Sequence, residues 1–311
     1  MQYGKTEANL NKLDLSLPKD HPATARVLAK VKKPPKAKVR VGCAKWGRPD
    51  WVGKIYPPKT KAADFLKEYA KQFNCIELNS TFYGIPKKEE IRKWKSMVGK
   101  DFVFCPKFTQ SITHFRRLKN VDYELNAFFE VIYRLDKHLG PFFLMPHPQM
   151  SAKNMETIMA FLESLPREID VFVEFRNPQL LQNPAFNEMH DWLEKKKFGS
   201  VIDDTAGVRE GLHMRLTTPD AFIRFTGNSL HPTDFTRIDD WVKRLKKWMK
   251  AGLKSCWFFM HQHEELYSPE LCKYLIEQLD KKCGLQIPVP QFYKDQAGVQ
   301  LKKKNRSTQR K

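Results

Sequence analysis

Apolar runs of strand length recur along the chain at 39–44, 75–80, 102–107, 141–146, 170–175, 199–204, 220–226 and 254–261. The segments between them repeat their apolar residues with helical spacing. In "KAADFLKEYAKQF" (61–73), Phe65, Leu66, Tyr69, Ala70 and Phe73 fall on one stripe. The same spacing predicts helices over 88–97, 121–138, 151–163, 184–196, 234–251 and 268–281. The helix over 234–251 is entered at Thr233 or Asp234 and followed by Gly252, a signal at each end. Only the stretch from 204 to 220 lacks a helical pattern, and it reads as a loop or short turn.

Strands alternating with helices predict an all-parallel sheet. Eight strands is the number that closes a barrel filled by its own side chains. The predicted fold class is therefore α/β, a parallel eight-stranded, TIM-like (β/α)8 barrel over 39–283. A basic N-terminal arm (1–38) and a basic tail (284–311), expected to be disordered, flank it. An open, doubly wound sheet is the alternative, but no GxGxxG follows any strand and no GxxxxGK[ST] occurs.

In a barrel, chemistry belongs at the carboxyl ends of the strands. There the chain places Lys45 and Trp46, Glu77 and Asn79, Lys107, His147, Glu174 and Arg176, Asp203 and Asp204, Arg224, Thr226 and Gly227, and His261. In "CIELNSTFYGIP" (75–86), Ile76 and Leu78 alternate with Glu77 and Asn79, so a carboxylate and an amide share one strand face. An unpaired buried charge costs several kcal/mol. Glu77 is therefore either paired inside the protein or turned toward a cleft.

Two readings follow for the charged residues. Glu77 and Glu174, across a barrel mouth, suit general acid and base, as in glycoside hydrolysis, with Asn79 orienting. Lys107, Arg176 and Arg224, with Lys45, then hold an anion, and Gly227 with Asn228 lets backbone N–H groups approach it. Lys107 is also a candidate for Schiff-base chemistry. The alternative is an internal network of these cations with Glu77, Glu174, Asp203 and Asp204 without turnover, in which Glu77 pairs with Lys107 on the next strand and Glu174 with a cation such as Arg224. Trp46, Trp51 and Tyr56 in the first loop, and Phe82 and Tyr83 in the second, either wall a pocket for a sugar or base or bury each other as a lid.

A divalent metal is possible but not favoured. His261 and His263 share a face if the strand continues, with Glu264 and Glu265 after them and His114 and His147 elsewhere. His-Gln-His without HExxH or paired Cys/His spacing is a weak signal.

The net charge of +20 lies largely in the flanks, with nine Lys/Arg against three Asp/Glu in 1–38 and seven against one in 285–311. That distribution raises nucleic-acid binding through charge as a second function class. Six cysteines without CxxC spacing read as small core residues in a reducing compartment. No apolar stretch is long enough to span a membrane, and the first residues lack the apolar region of a secretory signal. The expected location is cytoplasmic.

The phrases "VGCAKWGRPDWVGKIYPP", "FNCIELNSTFYGIP", "FVFCPKFTQSITH", "VFVEFRNP" and "FIRFTGN" together resemble the signature blocks of the YecE-like family, domain of unknown function 72. The resemblance runs in order over roughly 39–283. It implies a TIM barrel similar in architecture to sugar-isomerase-like barrels and the endonuclease IV group, and it implies no established reaction. The chain departs from the family pattern at three strand ends. "LMPHP" (144–148) stands for a Gln-Leu-Pro-Pro run, "RFTG" for Arg-Leu-His-Gly, and "FFMHQHE" where paired asparagines are usual. The expected function is carboxylate acid/base chemistry on a small anionic, sugar-containing or phosphorylated substrate. The site would comprise Glu77, Glu174 and Lys107, with Asn79, Trp46, Tyr83, Arg176, Arg224, Gly227 and Asp203 binding. No cofactor or oligomeric state is legible.

Overall fold

A computed structural model describes residues 3–32 and 36–293. Every predicted strand is present: β1 Lys38–Cys43, β2 Cys75–Leu78, β3 Val103–Pro106, β4 Phe142–Leu144, β5 Val171–Val173, β6 Gly199–Asp204, β7 Asp220–Gly227 and β8 Ser255–Gln262. The helices are α1 Pro22–Ala29, α2 Phe65–Gln72, α3 Ser80–Tyr83, α4 Lys88–Met97, α5 Asp122–Ile132, α6 Met155–Ser164, α7 Pro178–Leu181, α8 Ala185–Lys196, α9 Pro232–Ala251 and α10 Ser268–Cys283. α9 begins one turn-position earlier than Thr233, because the His231 side chain accepts from the Thr233 N–H and Pro232 opens the helix. Gly252, at φ +124°, ends it.

All strand pairing is parallel, but the hydrogen-bonded ladder comes in two parts where one closed ring of eight was predicted. A curled six-stranded sheet runs β1-β8-β7-β6-β5-β4, and β2 pairs with β3 separately. The first and last strands are neighbours and the order never reverses, unlike a doubly wound sheet. The ladder breaks between β1 and β2 because side chains take over the backbone's bonds. The Cys43 N–H donates to Tyr69 Oη (2.7 Å), which donates to the Cys75 carbonyl (2.9 Å), and the Val41 N–H donates to Asn74 Oδ1 (3.2 Å). Gly42 lies so close that a Cβ there would stand 2.2 Å from the Cys75 carbonyl oxygen. At the other break, the Phe108 N–H donates to the Phe143 carbonyl (3.0 Å) and the Gly140 N–H to that of Phe104 (2.8 Å).

Strand alternation divides the core. One face packs Val41, Ile76, Phe104, Leu144, Val173, Ile202, Ile223 and Phe258 under the helices. The opposite face forms one interior cluster that includes Cys75, Cys105, Phe143, Phe172, Val201, Phe222 and Phe259. β2 and β3 thus share an interior with the six-stranded sheet, although they share no ladder with it.

The N-terminal arm is part of the fold. α1 buries Ala23, Thr24, Val27 and Leu28. Thr24 Oγ1 donates to the Met214 carbonyl (2.9 Å) and accepts from the Leu216 N–H (3.0 Å). Arg26 and Lys30 pair with Glu194 on α8, while Asp20 pairs with Arg244 and Lys247 on α9. α1 therefore lies between α8 and α9, covering the β6–β7 connection that has no helix of its own. Residues 285–293 continue past α10, with Leu285 buried and Ile287, Val289 and Phe292 packed on the core. The tail predicted to be disordered falls, from 294 onward, outside the described residues. All six cysteines are free thiols, and among the described residues no helix is long and apolar enough to cross a membrane.

Candidate functional site

The inward positions near the strand ends converge on Arg224. Its Nε and Nη2 donate to Glu77 Oε2 (2.9 Å) and Oε1 (3.0 Å), and its Nη1 donates to Glu174 Oε1 (2.8 Å). The guanidinium lies over the Phe143 ring, 5.0 Å from its centroid. Arg224 is the register partner of Asp203, whose Oδ1 is 3.5 Å from Nη1. The alternation that turns Asp203 inward turns Asp204 outward. There Asp204 accepts from Arg237 Nη2 (2.7 Å), Trp241 Nε1 (2.8 Å) and Arg209 Nη1 (2.6 Å), a structural clasp apart from the mouth.

Glu77 is buried with all its acceptor positions used. Asn79 Nδ2 donates to Oε1 (2.7 Å), and His261 Nε2 stands 3.2 Å from Oε2. Burial would raise its pKa, but Arg224 and His261 hold it well below the usual carboxylate range. His261 in turn is raised: burial opposes its charge, and Glu77 with Glu265 outweighs burial. Glu77 is paired internally, but with Arg224 and not with Lys107. It anchors Arg224.

The other side of the mouth is less complete. Glu174 Oε1 also accepts from Arg176 Nε, but Oε2 has no N–H donor among the described residues, and neither does Arg176 Nη2 have an acceptor. Asp203 and Glu174 are electrostatically coupled. Burial and the Glu174 charge push Asp203 well up, while Arg176, Arg224 and Lys107 overcome burial and keep Glu174 ionised. The two carboxyls are thus pushed in opposite directions, Asp203 toward the protonated form and Glu174 toward the charged one.

Lys107 is buried and makes no salt bridge among the described residues. Its Nζ lies 3.6 Å from Met145 Sδ and over the rings of Phe82 (4.3 Å) and Phe143 (4.9 Å). Burial lowers its pKa to about 7, with Glu174 opposing that fall. A one-turn π-helix, Ser111–Phe115, brings His114 against Phe82 (4.9 Å between ring centroids) and His147 (5.0 Å). Burial, with His147 and Lys107 adding, lowers His114 to about 4, so it is neutral near pH 7.

The remaining predicted residues divide. Trp46, Asn79, Ser80 and Tyr83, with exposed Lys45, line a cavity of about 340 Å³ beside Glu77. Tyr83 is 74% exposed at its rim, whereas Trp51 and Tyr56 bury each other in the core. Gly227 and Asn228 leave no anion nest, because an internal carboxylate occupies it. The Asn228 N–H donates to Asp234 Oδ2 (2.7 Å), and a Cβ at Gly227 would stand 2.8 Å from the Gln262 amide. Lys45 does not join the Arg224 cluster. His261 faces Glu77 and Glu265, and among the described residues no group of three or more His, Cys, Asp or Glu is arranged to hold a metal. A cavity of about 950 Å³ opens at the opposite end of the strands, where Arg26 and Lys30 are already paired with Glu194. One residue at the mouth had no sequence signal: Tyr3, whose ring stacks on Arg176.

A family model described as "Protein of unknown function DUF72" matches residues 40–292. The chain belongs to the DUF72 family. This DUF72 protein is 26% identical to the UPF0759 protein YecE of Escherichia coli K12 over 275 residues, covering 81% of this chain and 98% of that one. A DUF72 structure from Thermotoga maritima superposes with a TM-score of 0.62 at 22% identity, over 78% of this chain and 99% of that one. One from Enterococcus faecalis gives 0.62 at 18% identity, over 78% and 95%. At these identities the structural likeness is one of fold. The YecE-like resemblance of the signature phrases is thus upheld.

Proposed function

We propose that this DUF72 protein is an enzyme acting on a small anionic, hydroxyl-bearing substrate such as a phosphorylated sugar, by carboxyl acid/base chemistry at the strand ends. We read the two ladders as one eight-stranded barrel, sealed at β1–β2 by Tyr69 and at β3–β4 by the Phe108 and Gly140 bonds. The observation that carries the functional reading is the Glu174–Asp203 pair. Two buried, coupled carboxyls, one pushed up and the other held down, suit an acid and a base in one place. Asp203 donates a proton, Glu174 accepts one, and Arg224 holds both carboxyls in position. Lys107 and the open Arg176 Nη2 hold the anionic group, and the cavity beside Glu77 takes the body of the substrate. Glu77, predicted as an acid or base, becomes a positioning residue for Arg224.

The test is a melting screen of the full chain against sugar phosphates, nucleotides, short oligonucleotides and divalent metals at fixed salt, followed by mass spectrometry of any stabilising compound. A ligand at about 100 times its Kd adds about 2.7 kcal/mol, several degrees for a domain of this size. A sugar phosphate that stabilises wild type, is converted, and is not converted by Asp203→Asn supports the reading. Stabilisation by oligonucleotides alone, falling steeply with salt, replaces it with polyanion binding without turnover.

A further inference from the structure

The segment ahead of α1 lies outside the family match, yet it reaches the mouth. Its backbone is tied to the loop after β6. The Gly207 N–H donates to the Gly4 carbonyl (2.9 Å), and Arg209 Nη2 donates to the carbonyls of Leu15 (3.2 Å) and Ser16 (2.9 Å). Gly4, at φ +73°, lies flat on Thr205, where a Cβ would stand 2.3 Å from the threonine Cβ. This close approach delivers Tyr3 to the Arg176 guanidinium, 4.0 Å from ring centroid to Cζ.

The Tyr3 side chain is held there by its ring alone. Among the described residues its hydroxyl is buried with no hydrogen-bond partner, and so is Arg176 Nη2. Burial, with the Asp203 and Glu174 carboxyls adding, pushes the phenol pKa up. An unpaired buried hydroxyl is destabilising, so a phenylalanine would fill this position at less cost. A ring with a polar tip is placed beside a coupled pair of carboxyls and an unused guanidinium donor, satisfying neither its own hydroxyl nor that donor. Those are the terms on which a ligand would do better than the residue now present.

We propose that Tyr3 occupies a ligand slot. On this assignment Arg176, Glu174 and Asp203 receive a planar, hydroxyl-bearing ring that also carries an anionic group, and the arm must withdraw Tyr3 for that ligand to enter. The ring stacks on the guanidinium, the hydroxyl reaches the carboxyl pair, and the anionic group takes Arg176 Nη2. The proposal rests on the reading of the mouth as a binding site and adds the class of ring it selects and the residue that competes for it.

The experiment is calorimetric titration of full-length wild type, Tyr3→Ala, Tyr3→Phe and Tyr3→Ala/Arg176→Ala with 4-hydroxyphenyl phosphate, with inorganic phosphate as control. Tyr3→Ala is expected to bind at least 10-fold more tightly than wild type, Tyr3→Phe to resemble wild type because the ring stays, and the double variant to lose the gain. Hydrogen exchange of residues 3–16 in wild type is expected to rise at saturating probe as the arm lifts. A folded Tyr3→Ala that binds no more tightly overturns the proposal. If Tyr3→Ala does not fold, unchanged exchange in saturated wild type overturns it. Tight binding to Tyr3→Ala, with no sugar phosphate converted by any variant, leaves the slot standing and removes the acid/base reading. Conversion of a sugar phosphate with no gain in ring binding does the reverse.

Discussion

The two halves of the mouth share Arg224 but differ in how fully their polar atoms are used. On the β2–β8 side, Glu77 receives bonds from Arg224, Asn79 and His261, and His261 is backed by Glu265. On the β3–β5–β6 side, among the described residues, Lys107 Nζ meets a thioether and two ring faces, Arg176 Nη2 has no acceptor, and the Asp203 and Glu174 carboxyls are pushed in opposite directions. A saturated buried network fixes geometry. An unsaturated one keeps a cost that bound ligand can remove. On the function proposed above, the first half is the scaffold and the second carries the chemistry.

The most severe way to break the comparison is Arg224→Met, which strands Glu77 and Glu174 together. A loss of about 5 kcal/mol or failure to fold is expected, read by urea denaturation. Glu77→Gln removes the charge that Arg224 and His261 answer, and should cost about 3 kcal/mol at pH 7. Because the folded pKa of Glu77 is depressed, its contribution is fully present above the unfolded carboxylate pKa and is lost as pH falls through the folded value. The deficit of Glu77→Gln relative to wild type should therefore shrink in acid. A Glu77→Gln variant as stable as wild type at pH 7 would remove the scaffold role.

On the other half, substitutions are expected to stabilise. Burial depresses Lys107 to about 7, so the unfolded chain binds the proton more strongly below the usual lysine pKa, and folding pays for that difference. Lys107→Met should gain about 3 kcal/mol at pH 7 and below, with the gain fading as pH approaches 10. Asp203 has the opposite kind of shift: its penalty grows as pH rises above the unfolded pKa and levels off at the raised folded value. Asp203→Asn, whose Nδ2 can still donate to Glu174, should gain about 1 kcal/mol at pH 7 while losing the transferable proton. Stability lost in both variants, measured across pH 6–10, would make the second half a scaffold like the first.

Much of this arrangement is legible from spacing. Period-2 alternation turns Glu77, Lys107, Glu174, Asp203 and Arg224 inward, and it separates Asp203 from Asp204. Spacing does not say which cation meets which carboxylate. Glu77 was to face Lys107 on the next strand, but it meets Arg224, 147 positions away. The anion nest at Gly227–Asn228 has suitable backbone chemistry, and only the folded chain shows that Asp234 fills it. The unhelical stretch at 204–220 was recognised as such, yet nothing in its own residues indicates that α1 covers it.

By itself, the sequence determined the eight strands, the helices between them, their parallel order and the family, because each follows from local periodicity or from phrases that keep their order along the chain. Tertiary structure alone decided the split ladder, the saturation of Glu77, the coupling of Asp203 to Glu174, and the seat of Tyr3. These depend on distances between residues far apart in the chain and on how deeply each is buried. Periodicity encodes which face a side chain takes, not what waits opposite it.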